Sequence, residues 1–258
     1  MDFLSRSRLI SYSPHPLTSF YATRSATLIN PQSHQMIEDC FIARLPAHTV
    51  VPSPSSPTGK SHLSQLSDEE LLARFTRGFF GGMIFATEKL ILASGLDQTH
   101  PSAPGAETNN SSLQLPKSIW RVADIPTTTL LPFSSKLFGS FQVTHSQLAD
   151  QTKAPTTPPA IENQPTQERY SYIDIGFGNG SFAGCHRLSV HRHNSADSCV
   201  GSNNPPDNQE SDDVIEFRLS HFHCNPRGGK PNSLVTILNR FHQVYAKLLF
   251  TDALRLLC

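Results

Sequence analysis

Hydrophobic positions change period several times along the chain. Ile37–Leu45, IEDCFIARL, reads as a strand, and Ser67 then opens a helix in which Leu71, Leu72, Phe75 and Phe79 recur at helical spacing. The Ser67 hydroxyl is placed to accept from a first-turn amide, and Glu70 to reach back as in a capping box. Gly81 and Gly82 should kink or divide this helix, with a second piece running towards Leu92 before Gly95. Strands are expected over Ser118–Asp124 and Leu137–Gln147. The chain closes on SLVTILNRFHQVYAKLLFTDALRLL, where Leu234, Ile237, Leu238, Phe241, Tyr245, Leu248, Leu249 and Leu256 give one long helix with a broad apolar face.

Between these lies YIDIGFGNGSFAGCHRLSV, in which Gly176, Gly178, Gly180 and Gly184 imitate a phosphate-cradling loop. A dinucleotide fingerprint needs a helix after its glycines, because the helix N-terminus binds the pyrophosphate. Here the residues that follow alternate with period two, so Asn179-Gly180 reads instead as a two-residue hairpin turn. That turn would set Phe177 opposite Phe182, Ile175 opposite Gly184 and Ile173 opposite His186. The next strand, DVIEFRLSHFHC, puts Ile215, Phe217 and Leu219 inward, followed on the same face by His221 and His223. Pairing Val190 with Phe217 then brings Leu188 to Leu219 and His186 to His221. On the outer face His191 falls opposite Glu216 and Arg187 diagonal to Asp174, a pattern expected of surface charge pairs.

Composition narrows the fold to one unit. Only 37% of residues are hydrophobic and there are 20 prolines among 258 residues, so long stretches cannot bury enough apolar surface to offset ordering entropy. Residues 1–36 read as an N-terminal tail, and 37–258 as a single α+β domain interrupted by linkers at 51–66, 97–117, 149–168 and 194–212. Charge is balanced at 21 basic and 21 acidic residues, which gives no general attraction to nucleic acid. The apolar run Gly78–Ala86 is too short to span a bilayer. Arg6, Arg8 and Arg24 among many hydroxyls resemble a mitochondrial presequence, but Pro14 and Pro16 oppose its helix, so cytoplasmic is the default localisation and mitochondrial the alternative.

The candidate chemistry is sparse. Cys40, Cys185, Cys199, Cys224 and Cys258 are odd in number and irregular in spacing, which fits neither a disulfide framework nor a zinc ribbon. Gly59-Lys60-Ser61 lacks the leading glycine of a P-loop, whose place is taken by Pro54. No cofactor motif remains, and no metal site is expected. Trp120 and Arg121 are read as core or pocket edge, Arg74 and Arg77 as the wet face of a helix, and Cys185 and Cys224 as ordinary outward residues. The inward histidines remain: His186 and His221 are the candidate acid–base groups, and His186, His221, His223, Phe217, Phe241 and Tyr245 the candidate ligand lining. No inward carboxylate is visible to orient an imidazole. His223, beside CNPRGG, stands where the strand is expected to fray.

The stretches LINPQSHQMIEDCFIARLP, LSDEELLARFTRGFFGGMIFATEKLIL, LFGSFQV, YIDIGFGNGSFAGCHRLSV and CNP followed by HQVYAKLLFTDAL resemble a group of uncharacterised fungal proteins, which brings no function with it. More distantly, the element order resembles the START-like (SRPBCC) helix-grip superfamily. That resemblance implies a curved antiparallel sheet around a long C-terminal helix, enclosing an apolar cavity for lipids, hormones or polyketides. Three functions follow as expectations: a binding protein for a small apolar molecule such as a lipid, isoprenoid or polyketide; a cyclase, isomerase or hydrolase using an inward histidine; or a non-catalytic protein whose proline-rich insertions recruit protein partners.

Overall fold

Period-two alternation builds one large sheet, and two apolar helices cover its inner face. The computed structural model describes residues 10–16, 19–53, 56, 58–86, 118–149, 170–179, 182–193, 213–228 and 233–257, with side chains in the last helix from residue 243 onward. The expected linkers at 97–117 and 194–212, and that at 149–168 apart from Ala149, lie outside these residues. The strands are β1 (Ile10–Ser13), β2 (Met36–Pro46), β3 (Val50–Pro52), β4 (Lys60–His62), β5 (Ser118–Ile119), β6 (Lys136–Leu137), β7 (Phe141–Gln147), β8 (Ser171–Asn179), β9 (Phe182–His193) and β10 (Val214–Cys224). The helices are α1 (Arg24–Ile29), α2 (Asp68–Gly81) and α3 (Ser233–Leu257).

Eight strands form one sheet in the order β1-β2-β10-β9-β8-β7-β6-β5, and β3 and β4 make a separate ribbon. The fold is α+β, but the sheet is neither curved into a grip nor closed. It runs open from β1 to β5, and it is mixed, because β5 pairs with β6 in parallel. The helix-grip arrangement expected from the element order is therefore corrected. Its physical cause lies in α2. Leu71, Leu72, Ala73, Phe75, Thr76, Gly78, Phe79 and Phe80 are all buried, as are Asp68 and Arg74, because α2 takes the central place between the sheet and α3.

α2 packs on β8 and β9, and α3 packs across α2. Phe75 joins the layers, with its ring 5.5 Å from Phe217 of β10 and 5.6 Å from Phe250 of α3. The two helices cross at Gly78, where a Cβ would stand 2.7 Å from the Ala253 carbonyl oxygen. Ser67 caps α2 by accepting from the Glu70 amide, while Glu70 pairs with Arg74 instead of reaching back. Gly82 ends α2, and helical residues resume at 83–86, where the buried Asp252 carboxylate accepts from the Ile84 amide at 3.0 Å. Arg74 is buried, not wet: it also donates to the Pro52 carbonyl oxygen, and the β3–β4 ribbon and the following 3-10 turn fold where a linker was expected.

Two further strand readings are revised. Ser118–Asp124 is a two-residue strand followed by a 3-10 turn, and the Leu137–Gln147 run is broken by a turn in which Phe138 and Gly139 have φ of 51° and 78°. In the β8–β9 hairpin Asn179 pairs with Phe182, Phe177 with Gly184 and Ile175 with His186. Asn179 is thus a strand residue rather than a turn residue, and Gly180, its expected turn partner, lies outside the described residues. The expected register is off by two residues, which leaves every side chain on its expected face. Beyond it, Val190–Phe217, Leu188–Leu219, His186–His221 and His191–Glu216 pair as the alternation indicates.

The far face of the sheet is covered rather than wet. The N-terminal residues expected as a tail supply β1 at the sheet edge, a 3-10 turn at Phe20–Ala22, and α1 over β7, β8 and β9. Phe20 and Ala26 pack there with Met36, Cys185, Phe222 and Cys224 in a second apolar cluster. Ser25 donates to Asp174 at 2.6 Å, and Asp174 holds Arg187 by two parallel bonds of 2.7 and 2.8 Å. Glu216 lies beneath Arg44, Arg218 and His193. Both carboxylates have no exposed surface, so Arg187–Asp174, expected at the surface, is a buried ion pair, while the ion pairs of Glu216 run to Arg44, Arg218 and His193 and His191 is its cross-strand neighbour.

Candidate functional site

The inner face changes character towards one end of the central strands. From Val190, Phe217 and Leu219 it passes to His186 on β9 and to His221 and His223 on β10. His186 and His221 are directly paired across the sheet, with ring centroids 5.1 Å apart. His223 follows on the same face, its ring centroid 5.2 Å from that of His221. All three are buried, at 7%, 1% and 6% exposure for His186, His221 and His223. β10 continues to Cys224, so His223 is held in the ladder and does not fray as expected.

β2 adds the group that the sequence reading missed. Asp39 pairs directly with His221, and its Oδ1 lies 3.5 Å from His221 Nδ1, an ion-pair distance at which both side chains are almost fully buried. An inward carboxylate therefore does stand beside an imidazole. The signal was present in IEDCFIARL, since Asp39 shares the parity of Ile37, Phe41 and Leu45. What was absent was any local indication that β2 lies beside β10.

Phenylalanine rings frame the cluster. Phe177 stacks on His186 at 4.7 Å and on His221 at 5.7 Å, the latter pair only 4° from parallel. Phe79 of α2 reaches His186 at 5.4 Å and Phe141 of β7 at 6.4 Å. The half-exposed Phe182 covers His223 at 5.5 Å. Phe177 finds its place because its cross-strand partner is Gly184. A Cβ at Gly184 would run into the Phe222 carbonyl oxygen and lie 2.6 Å from Phe177 Cζ. Strand, glycine and ring thus fit as a set.

Electrostatics follow from burial. Burial pushes the His223 imidazole below its ordinary pKa, with Asp39 pulling in the opposite direction. His223 is thereby neutral at physiological pH, ready to accept on one nitrogen and donate from the other. Among the described residues, no group of three or more His, Cys, Asp or Glu side chains has an arrangement that would hold a metal ion.

The other candidate residues are dispersed. Phe217 is fully buried against Phe75, four residues along β10 from His221 and hence about 13 Å away. Tyr245 is partly buried against the main core. Phe241 lies in α3, and its side chain falls outside the described residues. Cys185 and Cys224 are on the outward parity, yet both are buried, as is Cys40. Burial raises the Cys40 and Cys224 thiols to about 11 and Cys185 well above its ordinary value, which leaves all three unreactive at neutral pH. Trp120 is largely exposed and sits over Gly139, and Arg121 beside it pairs loosely with Asp124.

No helix among the described residues is long and apolar enough to cross a membrane. No protein-family model, curated protein or solved structure matches this chain.

Proposed function

We propose that the protein is an acid–base enzyme acting on a small, largely apolar molecule, with His221 as the general base and Asp39 as the carboxylate that orients it. The observation that carries this reading is the Asp39–His221 pair, which stands with His186 and His223 at one end of an inner face rich in aromatic and aliphatic side chains. Burying a carboxylate beside an imidazole costs desolvation and is a weak source of stability, so a proton-transfer role explains the pair better than a structural one. Closing the 3.5 Å Asp39–His221 contact to hydrogen-bond distance when a substrate binds would fix the His221 tautomer and stabilise the imidazolium that forms when His221 takes a proton. His186, directly opposite, is placed to hold or return a proton on a second atom of the bound molecule.

The surrounding groups favour a particular class of reaction. The described cysteines face the other side of the sheet with raised thiol pKa values, so they offer no nucleophile here. Isomerisation or cyclisation through an enol fits better than hydrolysis, because it needs only proton transfer between carbon and oxygen. Phe79, Phe141, Phe177 and Phe182 favour a planar or hydrophobic substrate.

The test compares purified wild type with Asp39→Asn and His221→Gln, each incubated with an organic extract of the source cells and followed by mass spectrometry. Compounds consumed by wild type should be consumed roughly 10²-fold more slowly by both variants. Equal consumption by all three would refute the reading. A discrete mass retained by wild type in native spectra, without any consumption, would point instead to a carrier of small apolar molecules.

A further inference from the structure

Three large apolar side chains stand open where α2 ends: Met83 at 71% exposure, Trp120 at 61% and Leu256 at 50%. Gly81 brings them together. A Cβ there would lie 2.8 Å from Val122 Cγ1 and 3.8 Å from Leu256 Cδ1, while Met83 follows Gly81 by two residues and Trp120 precedes Val122 by two. The Trp120 indole is seated on Gly139, where a Cβ would stand 2.9 Å from its Cη2, and the rest of the ring meets solvent. The end of α2, the 3-10 turn at Val122–Asp124 and the last turn of α3 thus place tryptophan, methionine and leucine in one exposed patch. Aromatic residues and methionine, with arginine beside them, are the types enriched where proteins meet.

The charges decide what fits there. Arg121 and Asp124 are both exposed and face each other loosely at 4.0 Å, a separation that contributes little within one chain. Arg255 has Asp252 at 3.5 Å, and the half-buried Arg77 behind them is turned onto the Ile125 carbonyl oxygen at 3.4 Å. Each exposed arginine of the patch therefore has its own aspartate, so no surplus cation is left to attract an anionic bilayer or an acidic peptide. A surface that carries both members of a loose ion pair is instead complementary to itself. About a twofold axis, Arg121 of one copy meets Asp124 of the other, and the contact occurs twice.

We propose that this patch is the face on which two copies of the chain associate, with Trp120 of each copy set against Met83 and Leu256 of the other and Arg121 exchanged onto the opposite Asp124. Trp120 is the anchor, because an indole withdrawn from water contributes the largest apolar area, and the exchanged charges fix the orientation. Self-association here stands apart from the acid–base chemistry of the imidazoles, and neither depends on the other.

The experiment is sedimentation equilibrium of the full chain over a range of concentrations, for wild type, Trp120→Ala, Arg121→Asp, Asp124→Arg and an equimolar mixture of the two charge variants. Wild type should reach twice the mass of one chain. Each variant alone should raise the dissociation constant roughly tenfold or more. The mixture should recover close to wild-type affinity, because every contact between unlike copies then joins opposite charges, whereas loss of the internal Arg121–Asp124 pair alone would not be repaired by mixing. Trp120 is the single tryptophan, so its emission should move to shorter wavelength as wild type associates. A single-chain mass at every concentration, or a dimer indifferent to all three substitutions, would overturn the proposal. So would an emission shift that appears only with phosphatidylserine vesicles, which would make the occupant a membrane, or emission already shielded in the dilute monomer, which would make it a segment of the same chain.

Discussion

Two carboxylates buried on opposite faces of this sheet, Asp174 and Asp39, are paired with different kinds of base. On the far face Asp174 is held by Arg187, whose guanidinium is further enclosed by Phe20 at 4.9 Å and Tyr172 at 4.1 Å. Burial alone would weaken that guanidinium as a base, yet the hydrogen bonds and charge of Asp174 outweigh it and raise its pKa above the ordinary value. On the inner face Asp39 is paired with His221, an imidazole that can shed its charge. A guanidinium cannot do so at any accessible pH. The first pair is therefore a permanent tie between strands, and the second is a reversible one.

That contrast gives the largest expected effect. Arg187→Met leaves Asp174 buried with only Ser25 as a side-chain partner, and should lower unfolding free energy by about 3–5 kcal/mol in urea denaturation. Gly184→Ala comes next. The added methyl meets the Phe222 backbone and the Phe177 ring, so a loss of about 1–3 kcal/mol is expected, together with shifted His186 and His221 ring resonances. A loss of stability without those shifts would separate the glycine from the imidazole cluster.

A smaller effect concerns pH. His191 stacks on Tyr170 at 4.4 Å, and burial, followed by Arg218 and His193, lowers its pKa from 6.5 to about 3. Between these values the unfolded chain binds a proton that the folded chain does not. Stability contributed by neutral His191 is thus complete above about pH 6.5 and is lost as pH falls towards 3. Denaturation midpoints measured from pH 7 down to pH 5 should decline, and His191→Gln should flatten the decline. The smallest expected change is Ser67→Ala, which removes the cap on the Glu70 amide and should cost about 1 kcal/mol.

Local signals were legible, and long-range ones were not. Alternation assigned Leu188, Val190, Phe217, Leu219, His186 and His221 to one face because side-chain direction depends only on neighbours in sequence. The hairpin register slipped by two residues because Asn179, a turn residue by composition, pairs with Phe182 instead, and a slip of two preserves the faces. The cover of the far face was illegible. Residues 19–30 are rich in hydroxyls and look like a tail, and Ser25 becomes structural only by reaching Asp174, 149 positions away. Asp39 failed for the same reason: its parity was readable, but its partnership with His221 required knowing that β2 joins β10. α3 looked like the sheet's natural cover because its apolar stripe is the longest, whereas α2 is the helix that packs on β8 and β9.

The most direct test places Asp39→Asn and Asp174→Asn side by side in urea denaturation at pH 7. The far-face variant leaves a guanidinium that cannot discharge, and should lose about 3–5 kcal/mol. The inner-face variant leaves an imidazole, a group that needs no counter-charge in its neutral form, and should lose no more than about 1 kcal/mol. Equal losses in the two variants would make Asp39–His221 a structural ion pair and contradict the division of roles between the two faces.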